Sequence, residues 1–294
     1  MKIVTHLDQI PKIEGSIALT IGVYDGVHIG HQHLFKEMQK HTRKEGTRVI
    51  LTFSDHPTTL FTPDKPTPLI LSLEHRLHLL KTFDFDLAIV LPFNQKLAAL
   101  SYDTFLQNLH TKLPFTHLVL GSDARLGKDR AGTPEAIREL GKILKFSAEY
   151  LPKETYHKEP ISSGRIRKCL MQGDLKKVKK MLGRPYALRV PFKQPIRENE
   201  IQYRLDYNLD DLCILPSAVY AVDIGKIPAI AFYRSMEEVT GHTRLFLTLY
   251  FEQKLPETSH LTLNFISYLH NELDPELQEP TTLLENLNPQ LHLS

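Results

Sequence analysis

Two histidines three residues apart, His28 and His31, enclose Gly30 in the run Gly22-Val23-Tyr24-Asp25-Gly26-Val27-His28-Ile29-Gly30-His31. An imidazole N–H can donate to a phosphate oxygen, and a glycine lets the backbone approach the same anion closely. The run follows Ile17–Ile21, which reads as a buried strand. It precedes residues 31–46, which read as an amphipathic helix with Leu34, Phe35 and Met38 on one side. A strand that hands over to a helix N-terminus presents free N–H groups and the positive end of the helix dipole to an anion. The plain alternative is a glycine turn with two solvated histidines. The strand before, the helix after and Asp25-Gly26 within favour a nucleotide site.

The whole chain bounds the setting for that chemistry. Its 294 residues suffice for one large or two ordinary domains, and 41% hydrophobic with 24% charged residues is a globular composition. A net charge of +2 gives no electrostatic case for a nucleic-acid partner. The fifteen histidines are scattered without zinc-ligand spacing, so no protein metal site is expected. Two cysteines, Cys169 and Cys213, make no disulfide framework. The N-terminus lacks the apolar core of a signal peptide, and no apolar run is long enough to span a bilayer. The expectation is a cytoplasmic protein without nucleic-acid or membrane partners. Oligomeric state is not legible.

The elements that must position the histidines alternate along roughly the first 180 residues. Strand candidates are Ile17–Ile21, Val49–Phe53, Asp86–Leu91, His117–Leu120 and Phe146–Leu151. Between them lie helix signals. Thr133-Pro134 reads as a cap and first turn with Gly141 as the stop, Ser101 caps another helix, and Asp174 caps one that ends at Gly183. This alternation predicts a doubly wound parallel sheet, an α/β fold with its ligand at the carboxyl ends of the strands. After Leu182-Gly183-Arg184-Pro185-Tyr186 the pattern becomes β-rich: Ala187–Val190, Ala218–Ile224, Ile227–Tyr233, Arg244–Phe251 and His260–Phe265. That spacing predicts a small antiparallel β-barrel. A final helix is expected from about Phe265 to Leu273, followed by a loose tail. The domain expectation is 1–183 and 184–294.

Five segments in order carry a family resemblance. They are Gly22–His31, Thr52-Phe53-Ser54-Asp55-His56-Pro57, Gly121-Ser122-Asp123-Ala124-Arg125-Leu126-Gly127-Lys128, Ile161-Ser162-Ser163-Gly164-Arg165-Ile166-Arg167, and Leu182–Tyr186. In this order the chain resembles the prokaryotic bifunctional riboflavin kinase/FAD synthetase family. The resemblance implies a nucleotidylyltransferase-type α/β domain that converts FMN and ATP to FAD and pyrophosphate, then a β-barrel riboflavin kinase. It implies His28, His31 and Arg165 as catalytic residues. It implies Gly22, Tyr24, Asp25, Gly30, Asp123, Ser162, Ser163 and Arg167 as residues that bind the nucleotide or flavin. ATP, FMN and FAD are then substrates and product, and Mg²⁺ accompanies the triphosphate. The FMN phosphate is already an anion at neutral pH. The site therefore needs alignment and positive charge rather than a general base.

Departures from the family pattern set further expectations. Tyr24 stands where Phe is usual, and Gly164 where Thr is usual. Ala124 and Leu126 replace two aromatic rings, which places the flavin half of the site in question. In the second half, 190–200 contain no glycine, and Tyr203–Asn208 aligns with a Gly-x-Pro-Thr-Ala-Asn motif of which only Asn208 is kept. The family's catalytic glutamate falls near Phe246 or Leu247, in a stretch without an acid. Without it the riboflavin hydroxyl has no obvious base. Riboflavin kinase activity is therefore expected to be lost or weak on a retained barrel. The alternatives are a fully bifunctional enzyme, another acceptor for the nucleotidyl group, or a non-catalytic flavin- or nucleotide-binding regulator.

Overall fold

The apolar runs of the first half become neighbouring strands of one parallel sheet in the computed structural model. The structure describes residues 1–42, 46–64, 66–197, 203–209, 212, 215–237, 243–255, 258–271, 283–284 and 287. The chain divides into two compact units, residues 1–67 with 76–161, and residues 68–75 with 162–294.

The first unit contains strands β1 (Lys2–Val4), β2 (Ile17–Ile21), β3 (Thr47–Phe53), β4 (Leu87–Leu91), β5 (His117–Gly121) and β6 (Ser147–Leu151). All pair in parallel, in the order β1-β4-β3-β2-β5-β6. From β2 the chain winds outward to β3 and β4, then returns to build β5 and β6 on the other side. The gap between the carboxyl ends of β2 and β5 is therefore the topological switch point, where such sheets bind ligands. Every residue of β2 and β4 is buried, as expected for strands covered on both faces. Connecting helices are α1 (Ile29–His41), α2 (Pro57–Phe61), α3 (Leu73–Leu80), α4 (Gln95–Ala98), α5 (Tyr102–Lys112) and α6 (Pro134–Leu144). A short hairpin, β7 (Thr155–Tyr156) with β8 (Glu159–Pro160), follows β6. The strand β1 carries no sequence signal that singled it out.

Helix boundaries show where local signals were outweighed. Thr133 accepts from the Ala136 N–H with Pro134 at the first position, as its sequence predicts. Gly141, expected as the stop, lies inside α6, which continues to Leu144 and closes on Lys145 in the left-handed region. A Cβ at residue 141 would stand 2.5 Å from the Phe146 carbonyl oxygen, so the glycine serves packing rather than termination. Ser101 occupies the cap position of α5 but makes no capping hydrogen bond to the backbone. The helix α1 starts two residues earlier than expected and ends at His41.

The second unit opens with α7 (Ser163–Met171) and α8 (Leu175–Leu182), capped by Ser162 and Asp174, and Gly183 at φ +73° closes α8. Its strands are β9 (Tyr186–Pro191), β10 (Ile196–Arg197), β11 (Tyr203–Leu209), β12 (Ala218–Ile224), β13 (Ile227–Glu237), β14 (Thr243–Phe251) and β15 (His260–His270). They form one antiparallel sheet ordered β10-β11-β14-β13-β12-β15-β9. Laid flat, seven strands would separate the outer two by about 29 Å. Residues 192–195 alone join those two strands, and such a link reaches about 17 Å. The sheet is accordingly curled into a half-barrel. The Tyr207 hydroxyl donates to the Pro191 carbonyl at 2.9 Å and Lys193 Nζ to the Asp206 carbonyl at 2.9 Å, tying one end of the curl to the other.

Two expectations fail here. Phe265–His270 is not helical. It continues β15, paired with β12, and Leu273 lies outside the described residues. Register shifts at Val219/Tyr220 and Ala221/Val222 mark bulges that break strict alternation. Ile266 and Leu269 also pack with buried Leu283, Leu284 and Leu287 on the second face of the sheet. Apolar residues on both faces imitate helical spacing. The same three leucines show that the tail is not loose at those positions.

Candidate active site

The loop between β2 and α1 bends sharply and is held from several directions. Tyr24, Gly26 and Val27 all lie at positive φ, +54°, +84° and +42°. For the two non-glycine residues this costs on the order of 1–3 kcal/mol each, so the surroundings must impose it. The Thr20 hydroxyl donates to the Val119 carbonyl at 2.7 Å, which leaves Tyr24 to donate its own hydroxyl to Thr20 at 2.6 Å. Burial raises the Tyr24 phenol above its ordinary value. The Val23 carbonyl accepts from Thr52 Oγ1 at 3.1 Å and Arg76 Nη1 at 2.8 Å, and the Val27 carbonyl from Gln32 at 2.9 Å. Gly22 is sterically required, because a Cβ there would stand 2.8 Å from the Tyr24 ring.

The two histidines sit together at the start of α1. His28 is its N-cap, nearly buried, and its Nδ1 accepts from the His31 N–H at 3.4 Å. A neutral His28 ring therefore carries its proton on Nε2 and keeps that atom as a donor. The rings of His28 and His31 stack with centroids 3.6 Å apart and planes 19° from parallel, and the Tyr24 ring meets His31 edge-on at 5.2 Å. A Cβ at Gly30 would come within 3.2 Å of the His28 ring, so glycine gives that ring its place. Asp25 is buried in the same loop. The arrangement gathers imidazole donors and a helix N-terminus at the carboxyl end of β2, beside the switch point.

Gly22, Tyr24, Asp25 and His28 thus share the β2–α1 loop, and Gly30 and His31 lie in the first turn of α1 that it leads into. Asp123 follows β5 across the switch point and is exposed, its carboxylate 2.6 Å from Lys153 Nζ. Next to Lys153, Glu154 meets His33 of α1 at 3.2 Å. Ala124 and Leu126, where the family's rings are missing, pack against the apolar core of the parallel sheet. Ser162, Ser163, Arg165 and Arg167 form a separate group at the start of α7, where Ser162 Oγ accepts from the Arg165 N–H at 3.2 Å. Gly164 has room, because a Cβ there would meet only Ser162 Oγ at 4.0 Å. His56 caps α2, its Nδ1 2.7 Å from the Thr58 hydroxyl.

Sequence reasoning missed three features at this edge of the sheet. Arg76 and Lys153 stand outside the recognised segments, and nothing local marks either. The third is a chain of rings at the carboxyl ends of β3 and β4. Phe53 and Phe61 each meet Phe93 edge-on, at 5.4 and 5.9 Å, and Phe61 is exposed. Their scattered numbers hid a cluster that only the parallel pairing assembles.

A doubly wound parallel sheet with two stacked histidines at a helix N-terminus beside its switch point is the arrangement of a nucleotidyltransferase-type α/β enzyme. Residues 10–165 match the model of the family described as FAD synthetase, and the chain belongs to that family. It is similar to the bifunctional riboflavin kinase/FMN adenylyltransferase of Buchnera aphidicola subsp. Schizaphis graminum, 29% identical over 232 residues, 76% of this chain and 73% of that protein. The protein of the same description from Bacillus subtilis is 30% identical over 63% of this chain and 60% of its own length. That from Escherichia coli K12 is 30% identical over 62% and 58%. A solved structure described as a macrolide-efflux protein from Streptococcus pneumoniae superposes with a TM-score of 0.75 over 99% of this chain and 97% of that one. At 22% identity that likeness concerns the fold alone. No helix among the described residues is long and apolar enough to cross a membrane.

Proposed function

We propose that this chain transfers the adenylyl group of ATP to the phosphate of FMN, giving FAD and pyrophosphate in the cytoplasm. A phosphate oxygen of FMN forms a bond to the α-phosphorus as the bond from that phosphorus to the pyrophosphate oxygen breaks. The observation that carries the reading is the His28–His31 stack at the N-terminus of α1, within the residues that match the family model. Its donors suit the negative charge that builds on the phosphoryl oxygens and on the departing pyrophosphate. Gly22, Tyr24, Asp25 and Gly30 shape that loop, and Asp123 borders it from β5. Ser162 and Ser163 offer hydroxyls and Arg165 and Arg167 guanidinium groups for phosphate, which arginine grips in a bidentate manner. Among the described residues no three His, Cys, Asp or Glu side chains are grouped to hold a metal. We place Mg²⁺ on the ATP phosphates, where it offsets triphosphate charge.

We assign adenylyl transfer to residues 1–183 and a kinase-like barrel with lost or weak activity to 184–294. Supporting the second assignment, Tyr203–Leu209 is a regular strand paired with β14 rather than a phosphate-wrapping loop. Leu247 is buried and Phe246 exposed where the family's glutamate is expected. Asp206, an acid that β11 does carry, is taken up by Thr248 at 2.8 Å and Arg204 at 3.1 Å. The test is purified protein with Mg²⁺ and ATP, given FMN or riboflavin separately, with products resolved by chromatography. FAD from FMN, with neither FMN nor FAD from riboflavin, supports both assignments. Turnover of riboflavin to FMN or FAD at a rate comparable to that with FMN overturns the second, and failure with FMN overturns the first.

A further inference from the structure

Arg76, on α3, is fully buried, an unusual place for a permanent cation. Its Nη1 donates to the Val23 carbonyl at 2.8 Å and its Nη2 to the Phe53 carbonyl, while Nε is buried without a hydrogen-bond partner among the described residues. Burial lowers its affinity for the proton, opposed by the nearby carboxylates of Asp25 and Asp55. A methionine or leucine would fill similar volume without the cost of desolvating a charge, which the fold nevertheless bears here. What the guanidinium supplies is a planar fork that reaches two carbonyls at a fixed separation, as a single ammonium cannot. Those carbonyls belong to two neighbouring strand ends, Val23 just beyond β2 and Phe53 at the end of β3.

We propose that Arg76 is a positioning residue for the transfer site, its guanidinium clamping the main chain at Val23 and Phe53 and so fixing the loop that carries His28 and leads into His31. The inference rests on the adenylyl-transfer reading and adds a residue to it. Tyr24 and Val27 hold left-handed backbone only while something imposes it. Thr20 and Gln32 restrain the loop at Tyr24 and Val27. At Val23, Thr52 supplies one donor, and Arg76 supplies a charged one tied to the adjoining strand. Arg76 acts through backbone and touches no reacting atom, so its loss misplaces donors without removing them.

The test compares Arg76→Lys and Arg76→Ala with the unsubstituted protein. With FMN and Mg-ATP, kcat is expected to fall on the order of 100-fold in Arg76→Ala and at least about tenfold in Arg76→Lys, with KM for ATP changed by less than about threefold. Guanidinium at non-denaturing concentration restores part of the Arg76→Ala rate, and methylammonium does not. Hydrogen exchange of the amides of residues 22–31 accelerates in Arg76→Lys, while that of β5 stays unchanged. The exchange readout needs no turnover. An unsubstituted protein that makes no FAD would defeat the adenylyl-transfer reading, and the exchange comparison would still decide the clamp. Full activity with unaltered exchange in Arg76→Lys overturns the proposal. So does a loss in Arg76→Ala that guanidinium cannot restore and that tracks acceleration of exchange throughout the unit.

Discussion

At the scale of single residues, the stacked histidines and the ring beneath them separate chemistry from support. His31→Ala removes a preorganised donor and is expected to cost on the order of 3 kcal/mol of transition-state stabilisation, read as kcat/KM for FAD formation. Turnover within a few-fold of the unsubstituted protein would take His31 out of the mechanism. Tyr24 is different in kind, because its hydroxyl is spent on Thr20 inside the core. Tyr24→Phe leaves Thr20 bonded to Val119 and is expected to lower unfolding stability by about 1 kcal/mol with FAD formation nearly unchanged. Gly164 has open space on α7, and Gly164→Ala is expected to stabilise by about 0.5–1 kcal/mol in denaturant unfolding. The histidines were legible in the sequence because glycine spacing and flanking periodicity mark a strand-to-helix turn. Arg76 was not, since one arginine in an ordinary helix reveals its burial only when two distant strand ends meet it.

At the scale of elements, the continuous apolar strands of the parallel sheet and the caps at Thr133 and Asp174 were readable from local sequence. Asp174 accepts from the Lys177 N–H at 3.0 Å and also pairs with Lys177 Nζ at 2.7 Å, which holds its carboxyl below the usual value of 3.8. A depressed carboxyl stabilises the fold above its unfolded pKa and ceases to do so as pH falls through its folded one. Asp174→Ala is therefore expected to cost about 1 kcal/mol near neutrality, with the difference from the unsubstituted protein shrinking below pH 3.8. Denaturant unfolding at both pH values reads it, and a cost independent of pH would contradict the ion-paired cap. The element misread was β15. There bulges and a second apolar face covered by Leu283, Leu284 and Leu287 produced a helical period in a strand. Gly141 misled for a related reason, since its lack of a side chain answers to Phe146 across the helix end rather than to the local turn.

At the scale of the whole molecule, the chain gathers the proposed phosphate-handling histidines in its first unit, while the expected catalytic positions of its second hold an aromatic ring and a buried leucine. The parallel sheet was predictable because five continuous apolar strands alternate with helices. Its switch point then follows from strand order alone. Curling of the second sheet was less legible, because it depends on a four-residue link between outer strands and not on any strand's own pattern. Ala124 and Leu126 raise doubt about the flavin from sequence, yet both face apolar core, while Phe53, Phe61 and Phe93 gather rings at the carboxyl end of the parallel sheet. The most direct measurement gives the protein ATP radiolabelled at the α-phosphate, with Mg²⁺ and FMN, and follows the label. Label appearing in FAD, with pyrophosphate released in equal amount, is the predicted result. Label that stays in ATP, although the protein binds both ATP and FMN, would contradict adenylyl transfer to FMN.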